Sequence, residues 1–151
     1  MTNNAASLVT QAKQWATYYG DYPNGKEGAV LTVPLRVRAA VDSNDADGLA
    51  EVFTEDGSLL IGDTQLRGRD EIKSYMADAF AGSYKGTRLS EVPLEIRSIA
   101  DDVAMAITQG GYMLPGESTV APERQMRTMY VIVKREGQWR LFSQQSSPLG
   151  G

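Results

Sequence analysis

The chain has 151 residues, 42% hydrophobic and 23% charged, a composition that fits one globular domain with room for a proper core. A net charge of −4 with no basic run argues against a nucleic-acid surface, and no apolar run approaches the roughly 18 residues of a membrane span. With no Cys and no His, disulfides, thiolate nucleophiles, Cys-ligated metals and imidazole acid–base chemistry are all excluded.

The first residues, MTNNAASLVTQAKQW, lack a charged segment followed by an apolar stretch, which argues against a signal peptide and for a cytoplasmic location. Residues 1–32 read as an N-terminal extension. Leu8, Ala12, Trp15 and Tyr19 recur at helical spacing within Ala5–Tyr19, and Tyr22-Pro23-Asn24-Gly25 is a turn signal. The aromatic residues Trp15, Tyr18, Tyr19 and Tyr22 pack on the domain or a partner subunit, or cover a pocket mouth. Pro34 suits the first turn of a helix through Leu35, Val37, Ala40 and Val41, and Ser43-Asn44-Asp45 ends it and caps a second helix, Ala46 to Phe53. A short strand follows at Ser58–Gly62. Gly68-Arg69-Asp70-Glu71 opens a third helix whose apolar face carries Ile72, Tyr75, Met76, Ala79 and Phe80.

Beyond Ser83 the period changes from helical to alternating. Arg88–Ile99 reads as a strand, with Pro93 marking an edge or a bulge, and Asp101-Asp102 turns the chain into Val103–Met113. Gly110-Gly111 within that strand reads as a bulge or bend. Leu114–Pro122 is a loop, either mobile over a pocket mouth or a plain solvent turn. Gln125–Arg135 and Trp139–Ser147 are strands joined by a hairpin turn at Glu136-Gly137. The expected fold is α+β: a domain over residues 33–147 in which about three helices precede a curved antiparallel sheet, with a tail at 148–151. Alternation sorts each strand into two faces. Tyr130 with Thr128 and Met126 opposes Arg127 with Met129. Gln109 lines up with Ile107 and Met105, Tyr112 with Thr108 and Ala106, and Trp139 with Leu141, Ser143 and Gln145. Which face is inner is open at this point.

Three segments carry a family resemblance. Residues Asn44-Asp45-Ala46-Asp47-Gly48-Leu49 through Asp56-Gly57 resemble the second-helix motif and following acidic turn of the nuclear transport factor 2-like superfamily. Leu66-Arg67-Gly68-Arg69-Asp70-Glu71-Ile72 is similar to its third-helix entry, and Val133 through Leu141 resembles the closing hairpin of its SnoaL-like branch. The resemblance extends to the SgcJ/EcaC group, accessory proteins of enediyne polyketide gene clusters. It implies a cone-shaped half-barrel with a cavity at its open end, and dimerisation through the outer face of the sheet. It does not carry over a mechanism. The ketosteroid isomerase proton donor falls on Val37 and its carboxylate base on Ile61, neither of which transfers a proton, and the scytalone dehydratase type relies on His.

Residues placed as ligand-pocket candidates are Phe53, Asp63, Tyr75, Met105, Gln109, Tyr112, Arg127, Tyr130, Trp139 and Gln145; none is assigned a catalytic role. Asp63 follows the first strand near the expected cavity mouth, as an acid–base group or a turn residue. Asp56 reads as a turn or cap. Arg127, within an otherwise apolar strand, must be paired, hydrogen-bonded or exposed at an interface, or else binds an anionic ligand group. No phosphate-binding loop, metal-ligand spacing or nucleophile elbow is present, and no cofactor or metal is expected. The expected partners are an apolar small molecule, a second copy of the chain and a polyketide synthase. The candidate functions are a cofactor-independent isomerase, cyclase or dehydratase, a binder of an apolar intermediate, or a protein-interaction module.

Overall fold

A computed structural model describes residues 26–149. The expected helix over Ala5–Tyr19 and the turn at Tyr22–Gly25 lie outside the described residues. Among the described residues, three α-helices are followed and interleaved by six strands: α1 (Lys26–Asp42), α2 (Ala46–Val52), β1 (Phe53–Ile61), β2 (Thr64–Arg67), α3 (Gly68–Ala81), β3 (Arg88–Ala100), β4 (Val103–Met113), β5 (Met126–Arg135) and β6 (Gln138–Pro148). A 3₁₀ turn, Pro122–Arg124, sits between β4 and β5.

Helix α1 begins eight residues before Pro34, so that proline lies in its interior rather than in its first turn. An interior proline removes one helical hydrogen bond and costs about 3 kcal/mol. Val30, Leu31, Val33 and Leu35 are all fully buried around it, and each such side chain contributes about 1.5–3 kcal/mol, which outweighs the loss. The apolar stripe Val30, Val33, Val37 and Val41 faces the main core, while Leu31 and Leu35 pack with Ile96 of β3. The helix runs unbroken across residue 32. Asn44, in the left-handed region with φ 50°, turns the chain, and the Asp45 carboxylate accepts the Gly48 N–H at 3.0 Å to cap α2. Asn44 also ties this turn to the loop before β3. Its amide donates to the Thr87 carbonyl at 3.2 Å, and its Oδ1 accepts the Gly86 N–H at 2.6 Å.

On α3, Ile72, Met76 and Phe80 are buried. Tyr75, expected on that apolar face, is 37% exposed, because the buried stripe follows a spacing of four and leaves position 75 on its flank. The first strand is longer than its apolar run predicts, and Gly62-Asp63 turns it into β2, a short strand the alternation did not reveal.

The sheet is curved and unclosed, in the order β2-β1-β6-β5-β4-β3. Four pairings are antiparallel; β1 pairs parallel with β6, which is how the N-terminal half of the chain joins the C-terminal hairpins. Pro93 sits on an edge strand beside a register shift, where its missing N–H costs least. Gly110-Gly111 corresponds to no bulge, since the register with β3 continues unbroken through both residues. The glycines instead permit close approach. A Cβ on Gly110 would lie 2.0 Å from the Ser90 carbonyl oxygen, and one on Gly111 would lie 2.3 Å from that of Arg124. Glu136 and Gly137 both have positive φ, 53° and 76°, the geometry of a tight two-residue hairpin.

Candidate functional site

Register determines which side chains face the helices, because residues directly opposite in a ladder share a face. One row runs Ala106, Tyr130, Gln144 and Leu59 across β4, β5, β6 and β1. The next holds Pro93, Thr108, Thr128 and Ser146, and the next Glu91, Gly110, Met126 and Pro148. Ala106, Tyr130 and Thr108 are fully buried, so these rows are the inner face. The alternate rows, Ile107–Met129–Gln145 and Gln109–Arg127–Ser147, are the outer face.

A cavity of about 410 Å³ opens between the β1–β2 turn, the C-terminal end of α3, the end of β4 and the 3₁₀ turn. Leu59, Ile61, Leu114 and Met126 supply apolar wall; Tyr84, Tyr112, Gln144 and Ser146 supply polar tips. The Tyr84 and Tyr112 rings meet at 4.9 Å between centroids, tilted by 50°. Gln144 is buried and forms floor, whereas Asp63 and Glu123 are exposed and form rim. Burial pushes the Tyr112 phenol well above its ordinary range. Tyr112 therefore remains a protonated donor through neutral pH.

One row deeper lies Glu91, nearly fully buried. Tyr130 donates its O–H to Oε1 at 2.7 Å and to Oε2 at 3.0 Å, and the Thr108 hydroxyl lies 2.7 Å from Oε2. Burial raises the Glu91 carboxyl above the ordinary glutamate range and outweighs the opposing hydrogen bonds from Thr108 and Tyr130 and the field of Arg38. Among the described residues, no group of three or more His, Cys, Asp or Glu is arranged to hold a metal.

The wall beside Leu114 is fastened. Glu117 accepts the Leu114 N–H at 2.7 Å and a hydrogen bond from Arg124 Nη2, while Arg88 Nη2 donates to the Glu117 carbonyl at 2.6 Å. Arg124 Nε reaches the Tyr112 carbonyl at 3.2 Å. The loop expected to be mobile or a plain turn is thus pinned to both neighbouring strands.

The ten candidates scatter. Asp63 and Tyr112 line the cavity. Tyr130 belongs to the cluster behind it, and Phe53 is fully buried in the core. Tyr75 is exposed on the flank of α3 and outside the cavity lining. Trp139 packs partly buried against the main core. Met105, Gln109, Arg127 and Gln145 point outward. Arg127 is exposed there and donates to Gln109 at 2.9 Å, the hydrogen-bonded one of its alternatives. Asp56 pairs with Arg135 at 2.8 Å, and that hydrogen bond holds its carboxyl below the ordinary range. Sequence reasoning missed Glu91, Tyr84, Gln144 and Arg124. Glu91 did leave a signal: it alternates with Leu89 and Pro93, which puts a carboxyl on the same side as buried apolar neighbours.

A SnoaL-like domain family model matches residues 30–150. No curated protein matches the chain. Among solved structures, a Nostoc punctiforme domain of unknown function with a cystatin-like fold superposes with a TM-score of 0.76 at 23% identity, over 84% of this chain and 79% of that one. A nuclear transport factor 2-like protein from Novosphingobium aromaticivorans gives 0.71 at 18% identity over 99% and 92%. A ketosteroid isomerase-like protein from Erwinia carotovora atroseptica gives 0.67 at 16% identity over 86% and 100%.

Proposed function

The chain belongs to the SnoaL-like domain family, and from that premise we propose that it receives an apolar, carbonyl-bearing small molecule in the cavity between α3 and the inner face of the sheet. The observation that carries this reading is Tyr112: a desolvated, protonated phenol beside a largely apolar space. Such a donor hydrogen-bonds a carbonyl oxygen more strongly than water-exposed tyrosine does. Gln144 supplies a second polar group on the floor. The chemistry this suits is cofactor-independent proton transfer next to the carbonyl, of the isomerase, cyclase or dehydratase class, with Tyr112 stabilising the developing oxyanion. Asp63, two residues past Ile61 and on the rim, is the carboxylate placed to take the proton. The setting we propose, natural-product biosynthesis of the enediyne polyketide type in the cytoplasm, rests on the resemblance to the SgcJ/EcaC group alone.

One observation favours a second reading. The carboxylates on the cavity wall, Asp63 and Glu123, are both exposed, so no desolvated base faces the ligand. In that reading the protein holds an intermediate for a polyketide synthase without turnover. 2-Tetralone, an enolisable bicyclic ketone, distinguishes the two in heavy water. Binding that Y112F weakens about 2- to 10-fold, with α-deuterium exchange above the buffer rate and lost in D63N, supports catalysis. Binding without exchange supports the holding role. No binding by tetralone or larger aromatic ketones defeats both.

The outer face of the sheet exposes Val92 (56%), Leu94 (44%) and Met129 (38%) beside a groove of about 430 Å³ lined by Ile107, Arg127 and Gln145. We propose a second copy of the chain as its occupant. Val92 and Leu94 on β3 and Met129 on β5 flank Ile107 of β4 across one face, which suits a self-complementary two-fold contact.

A further inference from the structure

Between α1, α2 and the start of β6, Arg36 of α1 and Arg140 of β6 line one pocket of about 380 Å³ together with Ser43 and Gly48. Neither guanidinium forms an ion pair with a carboxylate among the described residues. Arg36 donates Nη2 to the Trp139 carbonyl at 2.7 Å, and its Nε is buried without a hydrogen-bond partner. Arg140 donates Nη1 to the Glu51 carbonyl at 2.7 Å and Nη2 to Gln138 Oε1 at 2.6 Å. Two like charges in one partly buried pocket oppose each other, and burial together with the Arg140 charge lowers the proton affinity of Arg36. Two carboxylates, Asp45 and Glu51, also line the pocket, but neither is ion-paired with either guanidinium. Asp45 is engaged in capping α2 through Oδ1, and Glu51 is exposed.

We propose that this pocket binds an oxyanion, a phosphate or carboxylate group, held between the Arg36 and Arg140 guanidiniums. An oxyanion supplies what both guanidiniums lack among the described residues: an ion-pair partner. Planar guanidinium forks match the oxygen spacing of both groups, and a charge-assisted bond in a partly buried site is roughly twice as strong as a neutral one. The site is separate from the Tyr112 cavity, so it stands or falls independently of the proposed reaction.

Titration of the full chain with sodium phosphate and, separately, sodium acetate, at ionic strength held constant with sodium chloride, tests the proposal. Two signals are followed: the thermal midpoint and the Nε–H cross-peaks of arginine in ¹⁵N-correlated spectra. The expected result is a saturable rise in midpoint with a shifted Arg36 Nε–H peak, and at least tenfold weaker binding in R140Q. Phosphate alone active assigns a phosphoryl group; acetate alone assigns a carboxylate; either supports the site. The proposal is overturned if neither anion differs from chloride, or if R140Q, folded by its amide spectrum, binds as the parent does. It is also overturned if the Arg36 peak stays fixed while the midpoint rises, because binding is then elsewhere. The spectral readout uses the unaltered protein, so it decides even where R140Q does not fold.

Discussion

Inside the sheet, the Glu91 carboxyl shares its oxygens between the Tyr130 and Thr108 hydroxyls, with almost no access to water. Removing it strands two buried hydroxyls, so Glu91→Ala is expected to cost about 2–4 kcal/mol in urea denaturation. The isosteric Glu91→Gln isolates the titration. Because burial raises the folded-state value above the unfolded one, the native protein holds the proton where the unfolded chain has released it. Parent stability therefore falls as pH rises from the ordinary glutamate value towards the raised one, and E91Q lacks this term. The difference in unfolding free energy, E91Q minus parent, is expected to grow with pH across that window; a difference flat with pH removes the argument. This residue was only half legible. Its parity beside Leu89 and Pro93 was visible in the sequence, but its partners lie 17 and 39 residues away and depend on strand register.

Elements owe their contacts to small residues as much as to large ones. Strands β3 and β4 close tightly at Gly110, where a methyl group would meet the Ser90 carbonyl oxygen at 2.0 Å and Glu91 Cα at 2.5 Å. Backbone on both sides leaves no flexible atom to give way. Gly110→Ala is accordingly expected to destabilise by about 3 kcal/mol or more, seen as a lower urea midpoint. The Leu114–Pro122 segment depends on one carboxylate. Replacing Glu117 with Ala removes the acceptor of the Leu114 N–H and of Arg124 Nη2 together, and exchange of the Leu114 amide is expected to speed up about tenfold. Arg124 holds the Glu117 carboxyl below its ordinary range, so this restraint is present above that range and is lost as pH falls through the lowered value. The element boundaries were mostly readable, since caps and turns are local: Asp45 caps α2, and Glu136-Gly137 turns β5 into β6. Strand β2 was not, because four residues with one buried side chain carry no periodic signal.

For the whole molecule, the sheet presents two unlike faces. Its inner face closes on the helices and leaves the Tyr112 cavity; its outer face carries exposed Met129, Val92 and Leu94. A charge at the centre of a self-complementary contact is repeated by symmetry and repels its copy. Met129→Glu is therefore expected to convert a dimer to a monomer in sedimentation at tens of micromolar, with the amide spectrum unchanged. A parent chain that sediments as a monomer at that concentration refutes the dimer.

The sequence by itself determined the element types, the hairpin, the helix caps, the order of helices before long strands, and through its motifs the family-like architecture. These rest on local spacing and turn chemistry, which act within a few residues. Only the tertiary structure decided which strand face is inside. Both parities of β4 and β5 carry apolar residues, Ala104, Ala106, Tyr130 and Ile132 on one side and Met105, Ile107, Met129 and Val131 on the other. Alternation separates the two sets without ranking them. The ranking comes from register between distant strands and from the side on which α1, α2 and α3 pack, and that choice put Tyr112 on the cavity wall, Glu91 in the buried cluster behind it and Arg127 on the outer surface.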